Sequence, residues 1–150
     1  MRRLTTLAVA CLFAFGGIAC GGEEDLAASG AGEAQVEVLE NLYDARYDKA
    51  WDDLHPKHQQ VAPLRLFVRC SAQVAPGGDL ESIEVLDVFD DEVVIPGIKE
   101  GEAKAVRIRV NSFEGDSDTF VNHQVKVGDK WRWVLNASAV RAYQQQRCPR

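Results

Sequence analysis

The residues equipped for chemistry fall in three short stretches. His123 sits in "TFVNHQVKV", Tyr43, Asp44, Tyr47 and Asp48 sit in "NLYDARYDKA", and His55 and His58 sit in "LHPKH". An imidazole facing an apolar interior can act as a general base or a donor, and a carboxylate or phenol beside it completes an acid–base pair. Alternation along "TFVNHQVKV" predicts Val121, His123, Val125 and Val127 on one inward face of a strand. His123 is then either a satisfied core or rim histidine or a catalytic one working with Tyr43 or Asp44, although the helical pattern sets Asp44 one position off the apolar stripe. Asp48 falls on the solvent side. Tyr43 and Tyr47 are one helical turn apart, so either hydroxyl can point into a cavity or simply leave a wet end on a packed ring. Trp131 and Trp133, two apart, build sheet core or rim an opening. The candidate ligand pocket is therefore Tyr43, Tyr47, His123, Trp131 and Trp133.

Other chemistries find little support. His55 and His58 are three apart, but no third residue has metal-ligand spacing, so no metal and no cofactor is assigned. There is no GxSxG, no Gly-rich phosphate loop followed by Lys, and no HExxH. The triplet Asn136-Ala137-Ser138 is a formal glycosylation sequon and is read as incidental.

The start of the chain carries a different signal. "MRR" is followed by Leu4 to Ala19 with no charged side chain, then by "CGGEEDLAASGAGEA" with no basic stop-transfer cluster. That is a basic n-region, an apolar h-region too short for a membrane span, and a small residue before a cut. The segment resembles a bacterial lipoprotein signal, with Ala19 before the cut, Cys20 after it, and Gly17 where such signals favour Leu. The resemblance implies a lipid on Cys20 and attachment to the cell membrane or outer membrane, facing outside the cytoplasm. More than one acyl chain makes such attachment durable. Cys11 leaves with the signal, and if Cys20 carries lipid, Cys70 and Cys148 form the one intramolecular disulfide open to the chain. The alternative is a pair of buried thiols.

Removing residues 1–19 takes the basic residues from 17 to 15 against 23 acidic ones, and the formal charge from −6 to −8. A nucleic-acid partner, which needs a basic footprint, is excluded on that ground. Residues 20–34 are mostly Gly, Ala, Ser and Glu with little to bury and read as a lipidated cysteine and flexible tether, reaching roughly 20 Å as a coil. Residues 35–148 then form the domain.

Within it the apolar period is first helical. Val36, Leu39, Tyr43, Tyr47, Ala50 and Leu54, widened by Leu42 and Trp51, predict one long helix ended or kinked at Pro56. "PLRLFVRC" predicts a second, with Leu64, Phe67 and Val68 inward. The period then drops to two in "SIEVLDVF", "AKAVRIRV", "TFVNHQVKV" and "KWRWVLN", with a "GD" turn before the last. "DDEVVIPGIKEGE" reads as a short strand or hairpin and loop, and "ASAVRAYQQQRC" as a short helix or fraying tail. Helices followed by a meander give an α+β domain, with N-terminal helices packed on a curved antiparallel sheet.

This layout, with "YDKAWDDLHP" and "VKVGDKWRWVL", resembles the nuclear-transport-factor-like, ketosteroid-isomerase-like (SnoaL-like) cone. Tyr47, Asp48, Ala50, Trp51, Leu54, His55 and Pro56 match its first-helix run, and Gly128 to Leu135 match its closing strands. The resemblance covers about residues 35–140 and is closest to small envelope lipoproteins of unassigned role, in which Cys70 and Cys148 look like a recurring cysteine pair. It implies a cone-like sheet with a pocket between sheet and helices. The leading expectation is a non-catalytic, lipid-anchored domain binding a small apolar ligand or an envelope protein. The alternatives are an isomerase, dehydratase or cyclase using His123 with Tyr43 or Asp44, and a structural accessory module of the envelope.

Overall fold

The computed structural model describes residues 30–74, 80–93 and 103–149. In chain order they form α1 (Gly30–Tyr43), α2 (Tyr47–Asp52), α3 (Pro56–Val61), α4 (Leu64–Ser71), β1 (Leu80–Asp90), β2 (Ala103–Ser112), β3 (Ser117–Val127), β4 (Lys130–Trp133) and α5 (Ala137–Gln144). The signal, Cys20 and most of the tether lie outside the described residues, as do the "APGGD" turn and most of "DDEVVIPGIKEGE".

The strands make one antiparallel sheet in the order β1-β2-β3-β4, and α1 lies across all four. This is the α+β arrangement that the change of period predicts. β1 and β4 are the two edges and do not pair with each other, so the sheet is open.

β2 alternates as expected. Val106, Ile108 and Val110 are buried toward α1, while Arg107 and Arg109 point to the other face and pair with Asp87 and Glu84 at 3.7 and 3.1 Å. Ile83, Val85 and Val88 of β1 join the α1 side. Val85 and Val88 are three apart, which alternation alone forbids. A register shift between Val85 and Asp87 absorbs the extra residue and returns Val88 to the same side.

β3 corrects the sequence reading. Val121 and Val127 are 42% and 37% exposed, whereas Gln124 is fully buried. The side facing α1 carries Phe120 and Gln124, and His123 lies on the opposite side. Three valines at odd positions made that face look interior; of them only Val125, 3% exposed in a buried cluster, is buried as expected. The deciding fact is non-local: Gln124 Nε2 donates to Gln35 Oε1 on α1 at 2.9 Å, so a polar side chain belongs inside.

The helical half also differs in detail. α1 begins at Gly30, not at residue 35, and Ala31 and Gly32 are buried. The small residues that resemble linker are helix here because they let α1 approach β4; a Cβ on Gly30 would stand 2.9 Å from Trp131 Nε1. The long helix expected through Leu54 is broken after Tyr43. Ala45 adopts φ 57°, Arg46 pairs with Asp44 at 2.6 Å, and Arg46 Nε donates to Asn41 Oδ1 at 2.8 Å. Pro56 starts α3, with His55 as its cap: Lys57 N–H donates to His55 Nδ1 at 3.2 Å. α4 buries Leu66, Phe67 and Cys70, and leaves Leu64 41% exposed.

A second core gathers α2, α3, α4 and α5 around Leu54, Ala62, Phe67, Val125, Val140 and Tyr143. Residues 54–55 cover the β4 edge: Leu54 bridges to Trp133, and His55 N–H donates to Trp133 O at 2.9 Å. α5 is a true helix, not a fraying tail, and the sequon asparagine caps it, Ala139 N–H donating to Asn136 Oδ1 at 2.8 Å. Cys70 and Cys148 form the disulfide, S–S 2.05 Å, fastening the segment after α5 to α4.

Candidate ligand cavity

The break between α1 and α2 is what creates a site. It leaves Tyr43 as the last residue of one helix and Tyr47 as the first of the next, and both rings face an apolar cavity of about 300 Å³. Phe67 from α4, Phe120 from β3, Trp133 from β4 and Tyr143 from α5 complete its aromatic wall, with Leu39, Leu42 and Leu135 between them. Of these, β3 contributes through Phe120, on the face that its own alternation would turn outward.

The wall is braced. Trp133 Nε1 donates to Ala50 O at 2.8 Å, which fixes the indole against α2. The Phe67 ring meets Trp133 edge-on at 6.0 Å between centroids and leans on Tyr143 at 6.3 Å. Trp51, just outside, donates its indole N–H to Ala62 O at 2.7 Å and ties α2 to the end of α3.

Polar groups on the cavity are few: the phenols of Tyr43, Tyr47 and Tyr143, and Ser71. Burial pushes the Tyr143 phenol up to about 12. Burial, and then the negative charge of Asp118, raises that of Tyr43. Both stay protonated at physiological pH, so each keeps an O–H that can donate, and neither serves as a base. An apolar ring-bearing molecule with one acceptor oxygen fits such a lining.

The other sequence candidates lie elsewhere. His123 Nε2 is 2.8 Å from Asp91 Oδ2 on the far face of the sheet, in register with Ala105, and this bond holds the exposed Asp91 carboxyl below its usual range. The sheet thus separates His123 from Tyr43. Asp44 is exposed and occupied by Arg46. The trio His123, Tyr43 and Asp44 does not converge. Trp131 belongs to a different cleft, beside Gly30.

His55 and His58 are structural. His58 is fully buried and accepts Leu135 N–H at Nδ1, 2.9 Å; burial, then the neighbouring His55, lowers it to about 4. His55 is lowered by burial and then by Lys57. Among the described residues, no group of three His, Cys, Asp or Glu is placed to hold a metal ion.

Sequence reasoning missed Phe67, Phe120 and Tyr143 as wall residues. For Tyr143 a signal existed: with Asn136 as cap, Ala139, Val140 and Tyr143 recur at helical spacing and form the buried face of α5.

No protein-family model matches the chain, and no curated protein matches it. Among solved structures it is similar to a Campylobacter jejuni protein provisionally designated an NTF2-like transpeptidase, with 12% identity and a TM-score of 0.54. The match covers 69% of this chain and 96% of that one. At that identity the likeness shows an NTF2-like fold and nothing about activity.

Proposed function

We propose that this is a binding domain, tethered outside the cytoplasm by lipid on Cys20, whose aromatic cavity takes a small apolar molecule. The observation that carries the proposal is the cavity between α1, α2, α4, β3, β4 and α5, lined by six aromatic rings and no charged side chain. The open sheet with α1 lying across it is read as the wall of a cone, the cavity being its mouth. The anchor rests on the sequence of residues 1–22. Among the described residues no helix is long and apolar enough to cross a membrane. A native mass measurement of the purified full-length protein tests both parts. It should show a lipid-sized addition at Cys20 and, after exposure to an aromatic probe such as 2-naphthol, a one-to-one adduct. An unmodified Cys20 removes the anchor, and absence of the adduct removes the ligand.

A second reading is catalytic; the transpeptidase designation belongs to the solved structure of similar fold and is not itself evidence for this chain. An isomerase, dehydratase or cyclase built on this cavity would use Tyr43 and Tyr143 as donors to a developing oxyanion. His123 and Asp44 would have no part in it. No carboxylate or imidazole lines the cavity to serve as base, which keeps binding ahead of catalysis. An accessory role beside other envelope proteins is compatible with either reading.

A further inference from the structure

We propose that the outer arc of α4 is a membrane-docking face, which lies against a lipid surface carrying anionic phosphate headgroups. This rests on the anchor at Cys20, which sets a bilayer within reach: the ten residues from Cys20 to Ser29 span at most about 35 Å.

The first observation is how charge is partitioned. The stretches 54–74 and 130–150 hold eight of the chain's 17 basic residues and none of its 23 acidic ones. The fold brings these two stretches together. α3 packs on α5, and the disulfide sets the Cα of Cys148 5.1 Å from that of Cys70. Arg69 and Arg147, each next to one of these cysteines in sequence, thereby stand beside the same bridge. The Arg147 side chain donates to Gln145 Oε1, not to a carboxylate. α2, which also packs on α4, carries Asp48 and Asp52, and neither pairs with an α4 arginine.

The second observation is the makeup of the arc. α4 turns Leu66, Phe67, Cys70 and Ser71 to the core. What remains is two rows at i, i+4 spacing, Leu64 with Val68 and Arg65 with Arg69. Leu64 is 41% exposed, and Val74, just past the helix, is 60% exposed. Arg65 and Arg69 are both exposed, and among the described residues neither makes a hydrogen bond or an ion pair. A groove of about 570 Å³ runs beside them, walled by Pro63, Leu66 and Gln146. Exposed apolar side chains interleaved with uncompensated arginines suit a lipid interface, where the aliphatic groups enter the acyl boundary and the guanidinium groups meet phosphate. The basic residues on the far face of the sheet differ: Arg107 and Arg109 are already paired with Asp87 and Glu84.

Arginine footprinting tests this. The full-length protein is reconstituted into vesicles of phosphatidylcholine alone, or with about a quarter phosphatidylglycerol, and treated with phenylglyoxal, each arginine being read by peptide mass. Phosphatidylglycerol should slow modification of Arg65, Arg69 and Arg147 by about fivefold or more, and that of Arg107 and Arg109 by less than about twofold. About 0.5 M KCl should remove the difference. In Arg65→Gln with Arg69→Gln, shown by circular dichroism to be folded, the slowing at Arg147 should fall below about twofold. Equal modification of Arg65 and Arg69 in the two vesicles, equal slowing at Arg107 and Arg109, or undiminished slowing at Arg147 in the double variant overturns the proposal. The mass of the Cys20 peptide reports the lipid separately, so a missing anchor and a missing docking face are distinguishable.

Discussion

Leu135 donates its backbone N–H to His58 Nδ1 at 2.9 Å, a buried bond across 77 residues that joins α3 to the segment entering α5. Because Nδ1 accepts, the ring proton resides on Nε2, and the neutral imidazole is the form the fold requires. Protonation would break the bond and place a charge where His58 is fully buried. The folded value near 4 lies below the ordinary 6.5, so the unfolded chain binds the extra proton first. Stability is complete above pH 6.5, falls as pH drops toward about 4, and changes no further on this account below that. The full loss is about 3 kcal/mol. Urea denaturation across this range should show it. His58→Leu should be less stable than the parent at pH 7.5 by about 1–3 kcal/mol, through the orphaned Leu135 N–H. Its slope between pH 6.5 and 4 should be shallower.

The disulfide joins residues 78 apart in sequence and closes the second core. In the chain-entropy account a loop of that length stabilises by ~4 kcal/mol. Reduction, or Cys70→Ser with Cys148→Ser, should lower the unfolding free energy by about that amount in urea. The oxidised protein should be lighter by two hydrogens than the reduced one.

Gln35 and Gln124 predict a non-additive pair. Gln35→Leu alone leaves the buried Gln124 amide without its one partner and should cost about 1–3 kcal/mol. Gln35→Leu with Gln124→Leu removes both polar groups and should recover most of that loss, read as a coupling energy in a double-mutant cycle.

His123 tests where the site lies. It faces away from the aromatic cavity and engages Asp91. His123→Ala should leave 2-naphthol affinity within about twofold of the parent, whereas Phe120→Ala, which removes a cavity wall, should weaken it by about tenfold or more. A large loss in His123→Ala with an intact fold would return the imidazole to the site.

Most of the architecture could be read from local pattern. The switch from helical period to alternation gave the order of elements, the Gly128–Asp129 turn set the last hairpin, with Gly128 at φ 62°, and Val106, Ile108 and Val110 marked the inner face of β2. Cysteine parity pointed to Cys70 with Cys148. What local pattern could not supply were facts held by distant partners. The face of β3 depends on Gln35, 89 residues from Gln124. The helix break depends on Ala45 accepting a left-handed conformation, which an alanine does not advertise. The start of α1 depends on the close approach of Trp131 to Gly30. Tyr43, Tyr47 and Trp133 do share a cavity; Trp131 lies on the same face but further along, beside Gly30, and His123 was placed with them by strand parity, which alone cannot tell which side of a sheet α1 covers.

Occupancy of the aromatic cavity is tested most directly by methyl-region carbon–proton NMR during titration with 2-naphthol. Saturable shifts at the methyls of Leu39, Leu42 and Leu135, all on the cavity wall, with Val121 on the far face unmoved, are the predicted result. Unperturbed leucine methyls at saturating probe, or shifts confined to Val121, would contradict it.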